Sequence, residues 1–352
     1  MRRLVAFIAA CCLAFAAAAA PPRSAAQFFQ LFQDRNDWTW SGGDYVASLR
    51  AANGHTYWSF GDTLLGAQDP VTGGYQPPGP GWAPNSILVQ RNGVLAAAVA
   101  TPAIPLPGDG DSYWAQGMFE ANGSLYVMAQ RWRPLGGDNF ELRGVELAKF
   151  GFNADGTLTA RGLVRTPSSG KIGATSPATA QYAADAVVVG PYVYLFGYAN
   201  DAARYRQPTY AAFAPVASVE NPSAWQFFSG GVWKPDMAAA TPIVDWQVSS
   251  VRRIGGNWVL AYKPGHGGGD TVYLERRSNL FGKPEATTTI HSPAGTTPGG
   301  RQYVTYAPQL HPAQPLSSGK LLVSIAWNGR TPADNEADAD LYKPRFHEVT
   351  LR

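Results

Sequence analysis

Residues 54–60 read Gly-His-Thr-Tyr-Trp-Ser-Phe, a glycine turn that leads directly into an apolar and aromatic strand. The same pattern of a strand, a glycine turn and a second apolar strand recurs four more times, with turns at Gly123, Gly190, Gly256 and Gly319. Successive turns are 69, 67, 66 and 63 residues apart. A regular period built from hairpins indicates one supersecondary unit that is repeated along or around an axis.

Units of this length are too long for two strands, and they fit four-stranded blades with generous loops. In such a blade the first strand lines the central axis, so the first blade would contain Asp44–Leu49, His55–Phe60 and Ser86–Gln90. The C-terminal Phe346–Leu351 alternates as a strand does and would complete the last or the first blade. A two-sheet sandwich does not explain the even spacing. We therefore predict an all-β fold, a five-bladed β-propeller that forms a single domain over residues 21–352.

Helical periodicity is almost absent between these turns. Candidate strands lie between clusters of Gly, Pro, Asn and Asp, at Val46–Leu49, Ile87–Gln90, Ala186–Val189 and Val248–Ile254. The stretches predicted to be loops are Ala67–Pro84, Pro102–Asp111, Thr166–Thr179, Gly265–Asp270 and Thr331–Asp340.

The first twenty residues resemble an export signal, which gives residues 1–20 as a signal peptide. Arg2 and Arg3 precede an apolar core from Leu4 to Phe15, and an alanine run to Ala20 offers small residues for cleavage. We expect the mature protein to be secreted or periplasmic. The stretch that ends at Cys11 also resembles a lipobox, so a lipid anchor at Cys11 is the alternative, although the apolar run continues past it.

Composition excludes several classes of partner. Both cysteines of the chain, Cys11 and Cys12, lie in the leader, so a chain cut near Ala20 has no disulfide and no thiol chemistry. Without Arg2 and Arg3 the chain has 26 basic and 25 acidic residues and no basic stripe, which argues against nucleic acid. No other stretch has the length of a membrane span. We expect a monomer without a cofactor.

Three aspartates lie where inner or adjacent strands begin or end. Asp44 follows Ser-Gly-Gly, Asp62 follows the second strand of the first repeat, and Asp185 is predicted to open the third inner strand. The inner strands of a propeller converge on a funnel, so residues far apart in sequence meet there. Carboxylates in pairs are what glycoside hydrolysis needs, one to protonate the leaving oxygen and one to act as nucleophile or base. Taken singly, each aspartate also fits a turn that caps backbone N–H groups.

Both ends of the chain contain distinctive segments, at Trp40–Tyr45, Tyr57–Gly66, Asn85–Gln90, Pro308–Pro312, Leu322–Asn328 and Leu341–Phe346. These segments resemble the five-bladed propeller glycosidase-like proteins, a group that includes microbial endo-D-arabinanases. The resemblance covers nearly the whole mature chain. It implies hydrolysis of a furanose-containing polysaccharide, with D-arabinan as the leading substrate, and it implies that Asp44 and Asp62 are the catalytic pair, with Asp185 orienting or tuning them.

The second inner strand, Tyr113–Gly117, departs from this pattern because it has no acidic residue. Related arabinanase-type and fructosidase-type propellers place a carboxylate on that blade, whereas here Asp111 lies in the preceding loop. A non-catalytic carbohydrate-binding propeller therefore remains an alternative, as does a scaffold that binds protein partners on its rim. A structural cation in the central channel is also open.

Other side chains are candidates for substrate binding. Arg131 could pair with a catalytic carboxylate, and tryptophan faces could pack against sugar rings. The predicted binding residues are Trp40, Trp82, Trp114, Gln116, Arg131, Gln247, Tyr306 and His311; Trp246, Asp245, Gln309 and Asn328 are further candidates. Structural roles are the competing interpretation for each, above all for His311 and for tryptophans that pack between blades. The five histidines show no zinc spacing.

Overall fold

A computed structural model describes residues 20–35, 37–68, 75–76, 79–136, 139–201, 206–265 and 268–352. The predicted leader, with Cys11 and Cys12, therefore lies almost wholly outside the described residues. Two helices occur in this part of the chain, α1 (Ala25–Gln33) and α2 (Pro332–Ala337). Short 3-10 turns cover Pro177–Thr179, Val216–Ser218, Pro222–Ala224, Met237–Ala239 and Ala339–Tyr342.

The rest of the regular structure is β. The strands in chain order are β1 Gly42–Gly43, β2 Ala47–Arg50, β3 Thr56–Phe60, β4 Thr63–Leu65, β5 Gly81–Ala83, β6 Ser86–Arg91, β7 Val94–Ala97, β8 Ser112–Ala121, β9 Ser124–Gly136, β10 Asn139–Phe152, β11 Leu158–Arg165, β12 Gln181–Val189, β13 Tyr192–Tyr198, β14 Thr209–Pro215, β15 Gln226–Ser229, β16 Val232–Lys234, β17 Val248–Ile254, β18 Asn257–Tyr262, β19 Thr271–Arg277, β20 Ala286–His291, β21 Gly295–Thr296, β22 Gln302–Leu310, β23 Leu321–Gly329 and β24 Arg345–Val349.

Within the described residues these strands form five large sheets and one small sheet. The large sheets follow the chain in the orders β2-β3-β6-β7, β8-β9-β10-β11, β12-β13-β14-β15-β16, β17-β18-β19-β20 and β21-β22-β23-β24. The small sheet has the order β1-β4-β5 and lies beside the first large one. Pairing is antiparallel between neighbours in every sheet, as expected when hairpins connect consecutive strands.

The hydrophobic core is divided into layers between consecutive sheets. One layer joins the first and second sheets through Tyr57 and Tyr113, and others join the second to the third, the third to the fourth and the fourth to the fifth. Trp58 of the first sheet and Leu322 of the fifth share a layer with α1, which closes the ring. Because sheets that stack on both sides bury both faces of their strands, all five residues of β3 are buried. The fold is a β-propeller, as predicted.

The repeated glycine turns explain the hairpins. Gly54, Gly123, Gly190, Gly256 and Gly319 all have φ between 55° and 83°, a left-handed conformation that glycine adopts without a Cβ clash. The predicted strand Val248–Ile254 matches β17. The C-terminal strand β24 completes the last sheet by pairing with β23.

Three local predictions were wrong. Thr331–Asp340 contains α2, whose capping box of Thr331 and Asp334 starts a helix too short to show periodicity. The predicted loop Ala67–Pro84 contains β5, and α1 was missed. Helix α1 has only nine residues and packs Phe28 and Phe32 against the aromatic layer of the first sheet, so tertiary packing stabilises it more than a long periodic pattern does.

Two of the aspartates also lie at other positions than predicted. Asp44 precedes β2 and belongs to the loop between β1 and β2. Asp185 lies in the middle of β12, where the pairing of β12 with β13 shifts register between Gln181 and Asp185. A bulge of this kind re-aims a side chain within a strand.

Candidate active site

Two loops of the first blade hold Asp44 and Asp62 next to each other. The strands β1 and β4 pair through Gly43 and Thr63, and the Asp44 N–H donates to the Asp62 carbonyl oxygen at 3.2 Å. The Gly61 N–H in turn donates to the Asp44 carbonyl oxygen at 3.0 Å. These backbone hydrogen bonds therefore fix the spacing of the two residues independently of their side chains.

The absence of a side chain at Gly61 makes room for the first carboxylate. A Cβ at this position would lie 2.5 Å from Asp44 Oδ1, well inside van der Waals contact. Gly42 is crowded in the same way, since its Cβ would lie 2.8 Å from the Tyr342 carbonyl oxygen. The Ser-Gly-Gly-Asp and Phe-Gly-Asp sequences thus bring the backbone and the carboxylates close together.

Both carboxylates open into one cavity of about 500 Å³ at the end of the propeller where β2 begins and β3 ends. Its lining combines the acid pair with aromatic rings and carboxamides and, within the described residues, contains no Lys or Arg. The lining residues are Asp44, Tyr45, Gly61, Asp62, Trp114, Gln116, Gln130, Trp132, Tyr198, Gln207, Gln247, Tyr306 and Asn328.

Asp44 is surrounded by hydroxyl donors. Burial raises the pKa of Asp44 to about 6, and hydrogen bonds from Tyr306 and Tyr342 offset part of that rise because they favour the ionised carboxylate. The Tyr306 hydroxyl lies 2.6 Å from Asp44 Oδ2. At neutral pH this carboxylate is therefore largely ionised and held in place by neutral donors.

Asp62 is harder to ionise than Asp44. Burial raises the pKa of Asp62 well above its usual range, the nearby charge of Asp44 raises it further, and a hydrogen bond from the Trp114 side chain offsets part of the rise. Two carboxylates with different pKa values in one cavity can divide the roles of acid and base. Their titrations are coupled, so the macroscopic pKa values belong to the pair.

A chain of side-chain amides orients the Tyr306 hydroxyl. Asn335 of α2 donates to Asn328 Oδ1 at 2.8 Å, and Asn328 Nδ2 donates to the Tyr306 oxygen at 2.9 Å. Since the Tyr306 oxygen accepts from Asn328, its own proton points to Asp44. Helix α2, which lies in a segment predicted to be a loop, therefore supports the site.

An aromatic wall rises beside Asp62. The rings of Trp114 and Trp132 lie 4.7 Å apart, and Phe140 meets Trp114 at 5.3 Å. Trp132 and Phe140 belong to the long hairpin of β9 and β10, which extends beyond its sheet. Phe140 is 41% exposed, which leaves an apolar face for a ligand that enters the cavity.

Asp185 has different surroundings and does not line the described part of this cavity. Its side chain is fully buried, and Oδ2 accepts from Ser250 Oγ at 3.0 Å, from the Val251 N–H at 2.7 Å and from Arg252 in an ion pair. Gly117 allows this close packing, because a Cβ there would lie 2.6 Å from the Asp185 Cα. Asp185 thus connects the inner strands β12 and β17. Burial raises the pKa of Tyr45, which lines the cavity, and the charge of Asp185 contributes to that rise.

The structure brings four of the predicted binding residues into the cavity: Trp114, Gln116, Gln247 and Tyr306. Gln247 also hydrogen bonds the Tyr45 hydroxyl, next in sequence to Asp44. The further candidate Asn328 lies there as well. Asp245 is exposed and pairs with Arg206 at 2.7 Å, as a turn residue would.

The other four predicted binding residues lie elsewhere. Arg131 pairs with Asp111 at 2.7 Å and with Asp109, so it does not serve a catalytic carboxylate as predicted. Trp40 is fully buried between Phe32 and Phe60. Trp82 is 39% exposed on β5, where its indole N–H donates to Glu336 at 2.7 Å.

His311 is a structural residue. It is buried between Ser48 Oγ, 2.6 Å from Nδ1, and Ser324 Oγ, 2.7 Å from Nε2. Burial lowers the pKa of His311 to about 3, and the charge of Arg252 contributes, so the ring stays neutral. It fastens the first sheet to the fifth at the closure of the ring.

Sequence reasoning missed several lining residues, among them Tyr45, Gln130, Trp132, Tyr198 and Gln207. Tyr45 has a φ of 54°, which is unusual for a residue with a side chain, and only its position after Asp44 could have indicated it. Gln130 and Trp132 lie within β9, Tyr198 ends β13, and Gln207 comes just before β14. Their segments contain aromatic and amide residues that resemble ordinary core and edge residues.

Within the described ranges, no three His, Cys, Asp or Glu side chains are grouped to hold a metal ion. A cation in the central channel stays a prediction. Nor does any helix in the described residues combine the length and apolar character needed to cross a membrane.

The architecture places the chain among the β-propellers. The model of the family described as "Domain of unknown function (DUF5005)" matches residues 26–350, and the chain belongs to that family. No curated protein matches the sequence.

Solved structures share the fold. A protein from Bacteroides ovatus, named "putative hydrolase", is similar with a TM-score of 0.70 and 18% identity over 91% of this chain and 88% of its own. A family 117 glycoside hydrolase from the marine bacterium Zobellia galactanivorans is similar with a TM-score of 0.50 and 12% identity over 89% and 85% of the two chains. At these identities the likeness concerns the fold alone.

Proposed function

We propose that the protein is an exported glycoside hydrolase that cleaves a furanose-containing polysaccharide. The observation that carries the proposal is the Asp44–Asp62 pair, two neighbouring carboxylates with raised pKa values in one cavity. Carboxamides in the lining can donate to and accept from sugar hydroxyls, and the aromatic wall offers a face for sugar C–H groups. The glycosidase-like propellers whose fold is shared support the class.

The two carboxylates take different roles. Asp62, whose pKa is raised well above its usual range by burial and by the charge of Asp44, serves as the general acid that protonates the leaving oxygen. Asp44, ionised and fixed by Tyr306 and Tyr342, serves as nucleophile or as the base that activates water. Activity then falls below about pH 6 as Asp44 takes up a proton, and falls again at higher pH as Asp62 loses one.

D-Arabinan and endo action follow from the resemblance of the two ends of the chain to endo-D-arabinanases. Asp185 acts in this scheme as a positioning residue, through the strands that it joins and through Tyr45. We expect removal of residues 1–20 on export, to the periplasm or the medium, and a monomeric mature protein.

A carbohydrate-binding propeller without catalysis is the second candidate. The observation that favours it is the inner strand β8, which presents the Gln116 amide to the cavity, whereas the related propellers place a carboxylate on that blade. This candidate predicts ligand binding without release of reducing ends.

A screen of polysaccharides, with D-arabinan first and released oligosaccharides as the readout, tests the proposal. The proposed enzyme releases oligosaccharides from at least one furanose-containing polymer. Its Asp44→Asn and Asp62→Asn variants, folded by circular dichroism, release them at least about 10²-fold more slowly. Retention of the polymer by the wild-type protein without any cleavage would instead establish the binding module.

A further inference from the structure

A second cavity adjoins the acid pair and has a different electrostatic character. It measures about 370 Å³ and lies against β17 and β18 of the fourth sheet. Gln207 and Gln247 line both cavities, so the two are neighbours on the same face of the propeller. A polymer bound at Asp44 and Asp62 would reach this second cavity with a neighbouring sugar unit.

Lys263, the residue after β18, contributes an ammonium group to this cavity. Its side chain is only 5% exposed, and Nζ donates to the carbonyl oxygen and to Oγ1 of Thr305, both at 2.5 Å. Both acceptors are neutral. Within the part of the chain that the structure describes, Lys263 forms no ion pair, and Asp270 acts on it only at a distance.

A buried ammonium without a counter-ion is costly, and proteins normally pair such a charge. Burial lowers the pKa of Lys263 to about 8, which still leaves the group mainly cationic at neutral pH. Asp201 also contributes a carboxylate to the lining, and the cation Arg206 already has a carboxylate partner. Arg206 pairs with Asp245 at 2.7 Å and lies over the Trp246 ring, and its backbone bridges that of Asp201.

We propose that the Lys263 cavity binds an anionic oxygen group of the saccharide, the carboxylate of a uronic acid or a sulfate ester, on a unit next to the one that is cleaved. This inference deepens the proposed function and rests on it for the identity of the ligand as a saccharide. The anion supplies the charge partner that Lys263 lacks, while Gln247, Asn200 and Ser249 present polar groups to the sugar hydroxyls. A plain arabinan carries no charge, so the proposal predicts a substrate with acidic units or substituents.

Binding of small saccharides tests the inference without any turnover. Titration calorimetry would compare glucuronate, glucose 6-sulfate and glucose on the wild-type protein, on Lys263→Met and on Lys283→Met, whose lysine is exposed. We expect glucuronate, glucose 6-sulfate or both to bind at least tenfold more tightly than glucose. The anionic sugar with the higher affinity then shows whether the cavity prefers a carboxylate or a sulfate. Lys263→Met removes this preference, and Lys283→Met keeps it. Lys263→Arg, which keeps the charge, retains part of the preference and serves as a second variant should Lys263→Met unfold.

Equal affinity of the wild-type protein for all three sugars would overturn the inference, as would an anionic preference that survives Lys263→Met. The failure of the proposed function looks different. If no polysaccharide is cleaved but the Lys263-dependent preference is present, the anionic subsite stands and the hydrolase does not. If a neutral polymer is cleaved and the preference is absent, the hydrolase stands and the subsite does not.

Discussion

Asp62 and Asp185 are both aspartates near the axis of the propeller, but their surroundings differ in kind. Asp185 is fully buried, with an arginine and two further donors at one oxygen. Asp62 faces a cavity, next to another carboxylate, with the Trp114 side chain as a donor. A carboxylate given a cation and backbone donors joins strands together, whereas one placed beside a second carboxylate resists ionisation and can transfer a proton. The local partners, and not the position near the axis, separate the structural from the catalytic candidate.

The largest expected effect is on turnover. Asp62→Asn should lower the rate on a polysaccharide about 10²- to 10⁴-fold, the range for loss of a general acid. The loss should be much smaller on an aryl glycoside whose leaving group needs no proton, while Asp44→Asn should lose activity on both substrates. Rates on the two substrates, corrected for folded protein, check the assignment. A large loss in Asp62→Asn on the aryl glycoside would remove its role as the acid.

Asp185→Asn should instead act on stability. Removal of one partner of a buried ion pair costs about 3–5 kcal/mol, because it leaves the other charge without compensation. Urea unfolding should show this loss for Asp185→Asn and little loss for Asp44→Asn, whose buried carboxylate pairs with no cation among the described residues. Combining Asp185→Asn with Arg252→Gln should cost less than the sum of the two single changes. Additive costs would show that the ion pair does not connect β12 and β17.

Gly61→Ala should disturb the site with little effect on the fold. The added methyl would lie 2.5 Å from Asp44 Oδ1 and would push the carboxylate aside. A shift of a catalytic carboxylate by about 1 Å can lower the rate about 10²-fold. Gly81→Ala on β5 is the matched control, since its nearest neighbour lies 3.9 Å away. Equal activities of the two variants would mean that Asp44 does not need its observed position.

Tyr306→Phe should have the smallest effect, on the pH profile rather than on the maximal rate. The Tyr306 hydroxyl favours the ionised form of Asp44, so its removal raises the pKa of Asp44 and moves the acidic limb of the profile to higher pH. We expect a shift of about one pH unit. Tyr192→Phe, on an exposed side chain, should leave the profile where it is. An unchanged acidic limb in Tyr306→Phe would separate Tyr306 from Asp44.

Much of this site followed from local sequence. The five glycine turns predicted the repeated hairpins. The Ser-Gly-Gly-Asp and Phe-Gly-Asp motifs indicated Asp44 and Asp62 as candidate carboxylates. Tyr306, Gln116 and Gln247 followed from their places on inner strands. Arg131, His311 and Asp185 did not, because their partners Asp111, Ser48 and Arg252 come close only in the folded chain. Lys263 carried no sequence signal, since its isolation depends on which carboxylates the fold keeps away from it.

The titration of the Asp62 carboxyl tests the central claim most directly, since the claim is that Asp44 and Asp62 form one coupled pair. Carbon-13 NMR of aspartate-labelled protein, with the Asn variants used for assignment, would follow each carboxyl in the wild-type protein and in Asp44→Asn. The account predicts that Asp44 titrates at about pH 6. It also predicts that Asp62 titrates above its usual range and that its pKa falls in Asp44→Asn, where the neighbouring charge is gone. Titration of both groups near pH 4, the usual value for aspartate, with Asp62 unchanged in Asp44→Asn, would contradict it.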